Sequence, residues 1–174
     1  MNIKITDLKD YLSNKTPGEM KQEIIELFKN YKNVQEYFAL KIFPKNEENI
    51  LKKYKQIIKN EFFPDRGEPK LRYSIMRTAI SDFRKLSKQP KNMAELMISH
   101  VENGVDFTNM YGDIDEQFYN NIEGMFQKTA NFIIKNNLVE IFKDRCKKVY
   151  EDSQDMGWGF SDTMAEIYFE YFEE

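Results

Sequence analysis

The stretch from residue 71 to residue 86, LRYSIMRTAISDFRKL, decides the fold class. Leu71, Ile75, Met76, Ala79, Ile80, Phe83 and Leu86 recur at the intervals that place side chains on one face of a helix. No strand with its two-residue alternation would collect them. The spacing predicts a helix from about Lys70 to Ser87. At about 100° per residue, Lys70, Arg77, Ser81, Arg84 and Lys88 fall within roughly 60° of one another, opposite the apolar stripe.

The same periodicity continues in both directions. Upstream, Asn46 is placed to cap a helix carrying Ile50, Leu51, Tyr54, Ile57 and Ile58 inward, ending before Pro64. The segment from Phe63 to Pro69 is the longest irregular one. Downstream, Pro90 starts a helix running through Met93, Leu96, Met97 and Val101 towards Met110, with Gly104 as a kink or a close helix contact. Gly112 stops it, and Asp113 or Asp115 caps a further helix to about Asn136. Another spans about Leu138 to Gln154. Gly157-Trp158-Gly159 interrupts the chain, Trp158 being expected to plug a gap between helices. Ser161 or Asp162 then opens a last helix.

Near the N-terminus, Thr6 is expected to cap a short helix over Asp7 to Leu12. Thr16-Pro17-Gly18-Glu19 combines a hydroxyl cap, proline at the first helical position and a carboxylate at the third. Met20, Ile24, Leu27, Phe28 and Tyr31 are expected inward on that helix, and Val34, Tyr37, Phe38 and Ile42 on the next. The expectation is all-α: one domain over residues 1–174, of eight or nine short helices. They form either stacked, solenoid-like hairpins or a compact array; two core stripes per roughly 40 residues favour the hairpins.

Composition narrows the setting. At 41% hydrophobic and 14% aromatic, the 174 residues supply a core without disulfide or metal support. One cysteine, Cys146, excludes an internal disulfide framework. The N-terminus lacks a signal-peptide core, and no run reaches the roughly 18–20 apolar residues of a membrane span. A cytoplasmic protein is expected.

The charges are sorted by segment. Residues 1–40 balance at zero, residues 41–91 carry +8 and residues 92–174 carry −11, giving −3 overall. Four of the five arginines, Arg66, Arg72, Arg77 and Arg84, lie within this basic segment, while the chain elsewhere uses lysine. A guanidinium offers a planar fork suited to carboxylate or phosphate, whereas a lysine is a hydrated point charge. Lys52, Lys55 and Lys59 lie opposite the core face of the preceding helix, so two helix backs could merge into one basic surface.

No catalytic, cofactor or metal site emerges. His100 is the only histidine, without a second ligand three or four residues away. His100-Val101-Glu102 lacks the paired cysteines a zinc deaminase needs. His100 is expected on a helix flank, partly buried, and Cys146 as a small packing residue. Asp113 and Asp115 read as carboxylates offsetting a helix dipole, since Phe118 stands where a calcium loop needs glycine. Asp162, Glu166, Glu170 and Glu173 share one quarter of the last helix and read as its solvated back.

Four stretches resemble a family of bacterial proteins catalogued as a domain of unknown function: Phe62-Phe63-Pro64-Asp65-Arg66-Gly67, Ala79-Ile80-Ser81-Asp82-Phe83, the run from Gly104 to Asp115, and Gly157-Trp158-Gly159-Phe160. The likeness extends from about residue 20 onward. It implies a bacterial, intracellular, all-helical protein, and no activity, cofactor or catalytic residue.

The functional expectation is therefore a non-enzymatic helical interaction or scaffold module. Arg66, Lys70, Arg72, Arg77, Arg84 and Lys88 would hold an acidic protein partner or the chain's own acidic half. A small-ligand or metal-dependent enzyme with an acidic cleft around Asp113, Asp115 and Asp162 is the alternative. A nucleic-acid-binding module is disfavoured by a pI of 5.4.

Overall fold

The computed structural model describes residues 2–173, and among them every regular element is helical. The chain falls into two compact units, Met1–Asn46 and Glu47–Glu174.

The first unit contains α1 (Ile5–Ser13), α2 (Pro17–Asn30) and α3 (Lys32–Ile42), followed by a 3-10 turn over Pro44–Asn46. Thr16 caps α2 as its sequence requires: the hydroxyl accepts from the Glu19 amide at 3.3 Å, and the Glu19 carboxylate accepts from the Thr16 amide at 2.7 Å. α1 begins earlier than expected, because the Asp7 carboxylate accepts from the Lys4 amide at 2.9 Å, which makes Lys4 and not Thr6 the cap. Glu23 of α2 accepts from Tyr11 of α1 at 2.6 Å and pairs with Lys15 at 2.7 Å. Phe28 meets Phe38 edge to face. The apolar faces expected inward do not become a core. No residue of α1, α2 or α3 is buried, and Ile24, Leu27, Phe28, Tyr31, Tyr37 and Ile42 are exposed. A segment of this length has too much surface for its volume to enclose an interior of its own.

The second unit is compact and all-helical. It comprises α4 (Glu47–Phe62), α5 (Tyr73–Leu86), α6 (Pro90–Tyr111), α7 (Glu116–Lys135), α8 (Val139–Glu151) and α9 (Phe160–Phe172). In a stack of helical hairpins each hairpin touches only its neighbours, so a helix meets those one and two places away in the chain. Here α6 packs against α4, α5, α7 and α8, and α9 against α7 and α8. The six consecutive residues Leu96 to Val101 are all buried, so α6 is surrounded on every face.

Glycine makes that central position available. α6 runs through Gly104 without interruption, so this residue marks close contact and not a kink. A β-carbon there would overlap Cδ1 of Ile122 on α7 and stand 2.7 Å from Cγ1. Around this crossing Phe62, Phe107 and Phe118 meet with ring centres 5.8–6.4 Å apart, and Tyr119 continues to Phe160 at 4.7 Å. Buried hydroxyls on the same helices satisfy themselves locally: Thr108 donates to the Gly104 carbonyl and Thr129 to that of Met125.

The caps in this unit follow the sequence closely. Gly112 ends α6 at φ 80°, and Asp115 caps α7 by accepting from the Phe118 amide at 2.7 Å. Trp158 differs from expectation. It fills no gap and is 67% exposed, in a turn where Trp158 and Gly159 both have positive φ. On the other side of that turn a Gly157 β-carbon would stand 3.1 Å from the Asp113 carboxylate, so the backbone itself occupies the space.

Substituting Gly104→Ala should lower stability by about 1–2 kcal/mol, overpacking outweighing alanine's helix propensity. In an Ile122→Ala background the same substitution should cost less by at least about 1 kcal/mol. Urea unfolding of the four proteins measures both quantities.

Candidate functional site

The residues singled out by charge sorting cluster around α5 and the loop that leads into it. α5 is shorter than its sequence period suggested. It begins at Tyr73, so Lys70 lies in the preceding loop, and it ends at Leu86, so Lys88 lies beyond it. Of the five, Arg77, Ser81 and Arg84 remain on the helix itself, and all three are exposed.

Glu61, at the end of α4, fixes the loop. It is 3% exposed. Its backbone carbonyl accepts from the Lys70 and Leu71 amides at 3.2 and 3.1 Å. Its carboxylate accepts from the Arg72 amide at 3.0 Å and, as a fork, from Arg72 Nε at 2.9 Å and Nη2 at 2.7 Å. The Arg72 guanidinium, with help from its amide and from Lys70, holds the Glu61 carboxyl below the usual carboxylate range. Leu71 is drawn into the left-handed region at φ 48°, a conformation a branched side chain accepts only when its neighbours dictate it. Arg72 therefore serves the fold first, tying α5 to α4.

The remaining basic residues are differently placed. Arg66, Lys70, Arg77, Arg84 and Lys88 are exposed, and among the described residues none of their side chains forms an ion pair or a hydrogen bond. Lys85, on the flank of the stripe, pairs with Asp82 at 2.7 Å. The α4 lysines divide as well: Lys52 and Lys59 are exposed, whereas Lys55 reaches Glu95 of α6 at 2.6 Å. Glu95 also pairs with Arg145 of α8, whose guanidinium forks onto Glu102 with both contacts at 2.7 Å. Three helices are tied by this network, which uses up the one arginine outside the basic segment.

Two concavities border the basic region. One, of about 370 Å³, lies between α4 and α5 and is lined by Tyr54, Ile57, Ile75, Ala79 and Asp82. The other, of about 520 Å³, lies over the 63–72 loop, where Arg66, Lys70 and Arg72 share the lining with Asp65 and Glu68. A third groove of about 690 Å³ runs between Phe63 and the Asn103, Asp106 and Met110 side of α6. Burial, with Asp152 and Glu102 nearby, pushes the Asp106 carboxyl up. Sequence reading did not foresee this groove, because Phe63 and α6 meet only through tertiary packing.

Two of the acidic residues considered for a cleft have local tasks. Asp113 accepts from the Tyr119 hydroxyl at 2.6 Å and Asp115 caps α7. Among the described residues no three His, Cys, Asp or Glu side chains converge as a metal-binding group. Cys146 is buried, and that burial pushes its thiol up to about 12. His100 departs from its expected half-exposed flank: it is 3% exposed, edge-on to Phe62, with neither ring nitrogen hydrogen-bonded. Burial lowers its pKa to about 4. The reason is α6 itself, which has no solvated flank at that turn.

Two measurable effects follow. His100 is neutral in the folded chain, whereas the unfolded chain binds a proton below about pH 6.5. The contribution of His100 to stability should therefore be constant above that pH and fall by about 3 kcal/mol as pH drops to about 4. Denaturation midpoints against pH should show this, and the slope should shrink in His100→Leu. Removing the Arg72 fork by Arg72→Ala strands the buried Glu61 carboxylate, and urea unfolding should show a loss of about 1–3 kcal/mol.

Among the described residues no helix is long and apolar enough to cross a membrane. No curated protein and no solved structure matches the chain. The Glu61-anchored loop, the Ser81 region of α5, the Gly104–Asp115 turn and the Gly157–Phe160 turn all fall within residues 3–173, which match the model of a family of unknown function, and the chain belongs to that family, DUF6155.

Proposed function

We propose that this chain is a non-enzymatic interaction module whose exposed basic face on and around α5 holds an acidic protein surface. One observation carries the reading: carboxylates of the fold itself occupy Arg72 and Arg145, while Arg66, Arg77 and Arg84 are exposed and form no ion pair among the described residues. A guanidinium left open to solvent next to similar charges repels its neighbours, and an incoming row of carboxylates relieves that repulsion. Lys70 and Lys88 extend the charge past both ends of the helix. The rigid anchor at Glu61 favours recognition, since the loop bearing Arg66 and Lys70 is held by main-chain hydrogen bonds. Arg72, with its fork already engaged, acts as the support of this face.

The test uses poly-L-glutamate as the acidic polypeptide probe in titrations at about 50 mM salt. The chain should bind it, and Arg77→Glu/Arg84→Glu should weaken binding at least tenfold. The control reversal Lys135→Glu/Lys143→Glu, which changes net charge equally but lies on α7 and α8, should weaken it far less. Equal loss in both variants would show a response to net charge alone and overturn the reading.

A further inference from the structure

Resting on the basic-face reading, the question is which acidic surface suits it. α9 bears Asp162, Glu166 and Glu170, and Glu173 follows its last residue; all four are exposed and none is in an ion pair among the described residues. Carboxylates elsewhere in the acidic half are partly spent: Glu95 and Glu102 on Arg145, Glu151 on Lys147 and Asp152 on Lys148. The α9 row is thus an open counterpart to the open arginines.

Its dimensions match. Within the helices, Arg77 to Arg84 and Asp162 to Glu170 span seven and eight residue steps. That is about 10–12 Å at the helical rise. Arg77 and Arg84 stand about two turns apart on α5, as Asp162 and Glu170 do on α9, so two contacts can form side by side. Ser81 lies between the arginines and leaves room for an approaching helix. Exposed ion pairs alone contribute little, and a stable contact needs an apolar anchor beside them. Phe169 is 45% exposed and, at about 100° per residue, borders the acidic row. The 370 Å³ concavity lined by Tyr54, Ile57, Ile75 and Ala79 borders the basic one.

We propose that the acidic partner is a second copy of this chain, the back of α9 from one copy lying on the α5 face of the next. α5 is held by α4 and α6, whereas α9 is held by α7 and α8, so the two faces belong to different flanks of the second unit. A copy uses both at once. The contact is then heterologous, and copies add head to tail into a ring or a filament.

Sedimentation velocity on the full chain tests this at about 50 and about 500 mM salt. The unsubstituted chain should grow in mass with concentration at low salt and return to monomer at high salt. Arg77→Glu/Arg84→Glu and Glu166→Lys/Glu170→Lys should each remain monomeric. Mixed in equal amounts, these two variants retain one intact face each and should form a dimer that grows no further. A monomeric chain at low salt, unimpaired growth of the α9 variant, or a mixture that stays monomeric would overturn the proposal. If the chain stays monomeric yet poly-L-glutamate still binds through Arg77 and Arg84, self-association is rejected and the basic-face reading stands. If poly-L-glutamate binding is indifferent to those arginines, the basic-face reading fails by itself.

Discussion

The second unit depends on how closely α6 and α7 approach at Gly104. Removing the β-carbon lets Ile122 lie against the α6 backbone, and only then do Phe107 and Phe118 reach Phe62. With α7 seated, α6 is enclosed by α4, α5 and α8, and every side chain from Leu96 to Val101 leaves water. That enclosure accounts for the interior position of His100, for the immobilised Ser99 and Thr108 hydroxyls, and for the Arg145 network that closes the α6–α8 side. Close packing of this kind tolerates little change of volume.

What a reader of the sequence recovers depends on the range of the interaction involved. The all-helical class, the Thr16-Pro17-Glu19 start, the Gly112 stop and the Asp115 cap are set within a few residues, and each is where the pattern puts it. The ends of α5 are not. Its apolar period continues through Leu71, but Glu61 captures the amides of Lys70, Leu71 and Arg72 before they can enter a helix. That competition spans about eleven positions and leaves no periodic trace. The apolar stripes of α2 and α3 are legible as helices and misleading as core, because periodicity says which residues share a side and not whether anything covers it. His100 and Trp158 err in opposite directions for the same reason: their environments are assembled by distant segments.

The basic face was legible as composition and only partly as geometry. Sorting of charge along the chain identified the segment, and helical spacing brought Arg77, Ser81 and Arg84 together. Which arginines stay open was decided by carboxylates elsewhere in the fold. Glu61 takes Arg72, and the pair Glu95 and Glu102 takes Arg145. An arginine with a buried carboxylate partner is expensive to pull away, because the anion left behind has lost its solvent. Arg66, Arg77 and Arg84 carry no such penalty, which separates the structural guanidiniums from those free to meet a partner.

The lone thiol has a practical meaning. Cys146, on α8, is fully enclosed, and its burial keeps the sulfur protonated at any physiological pH. An alkylating reagent attacks thiolate and needs access, so it can react only while the helices packed against α8 are parted. The chain thus carries its own clock for opening events: the pace at which iodoacetamide labels this single position counts excursions of the packed array and ignores fraying at the termini.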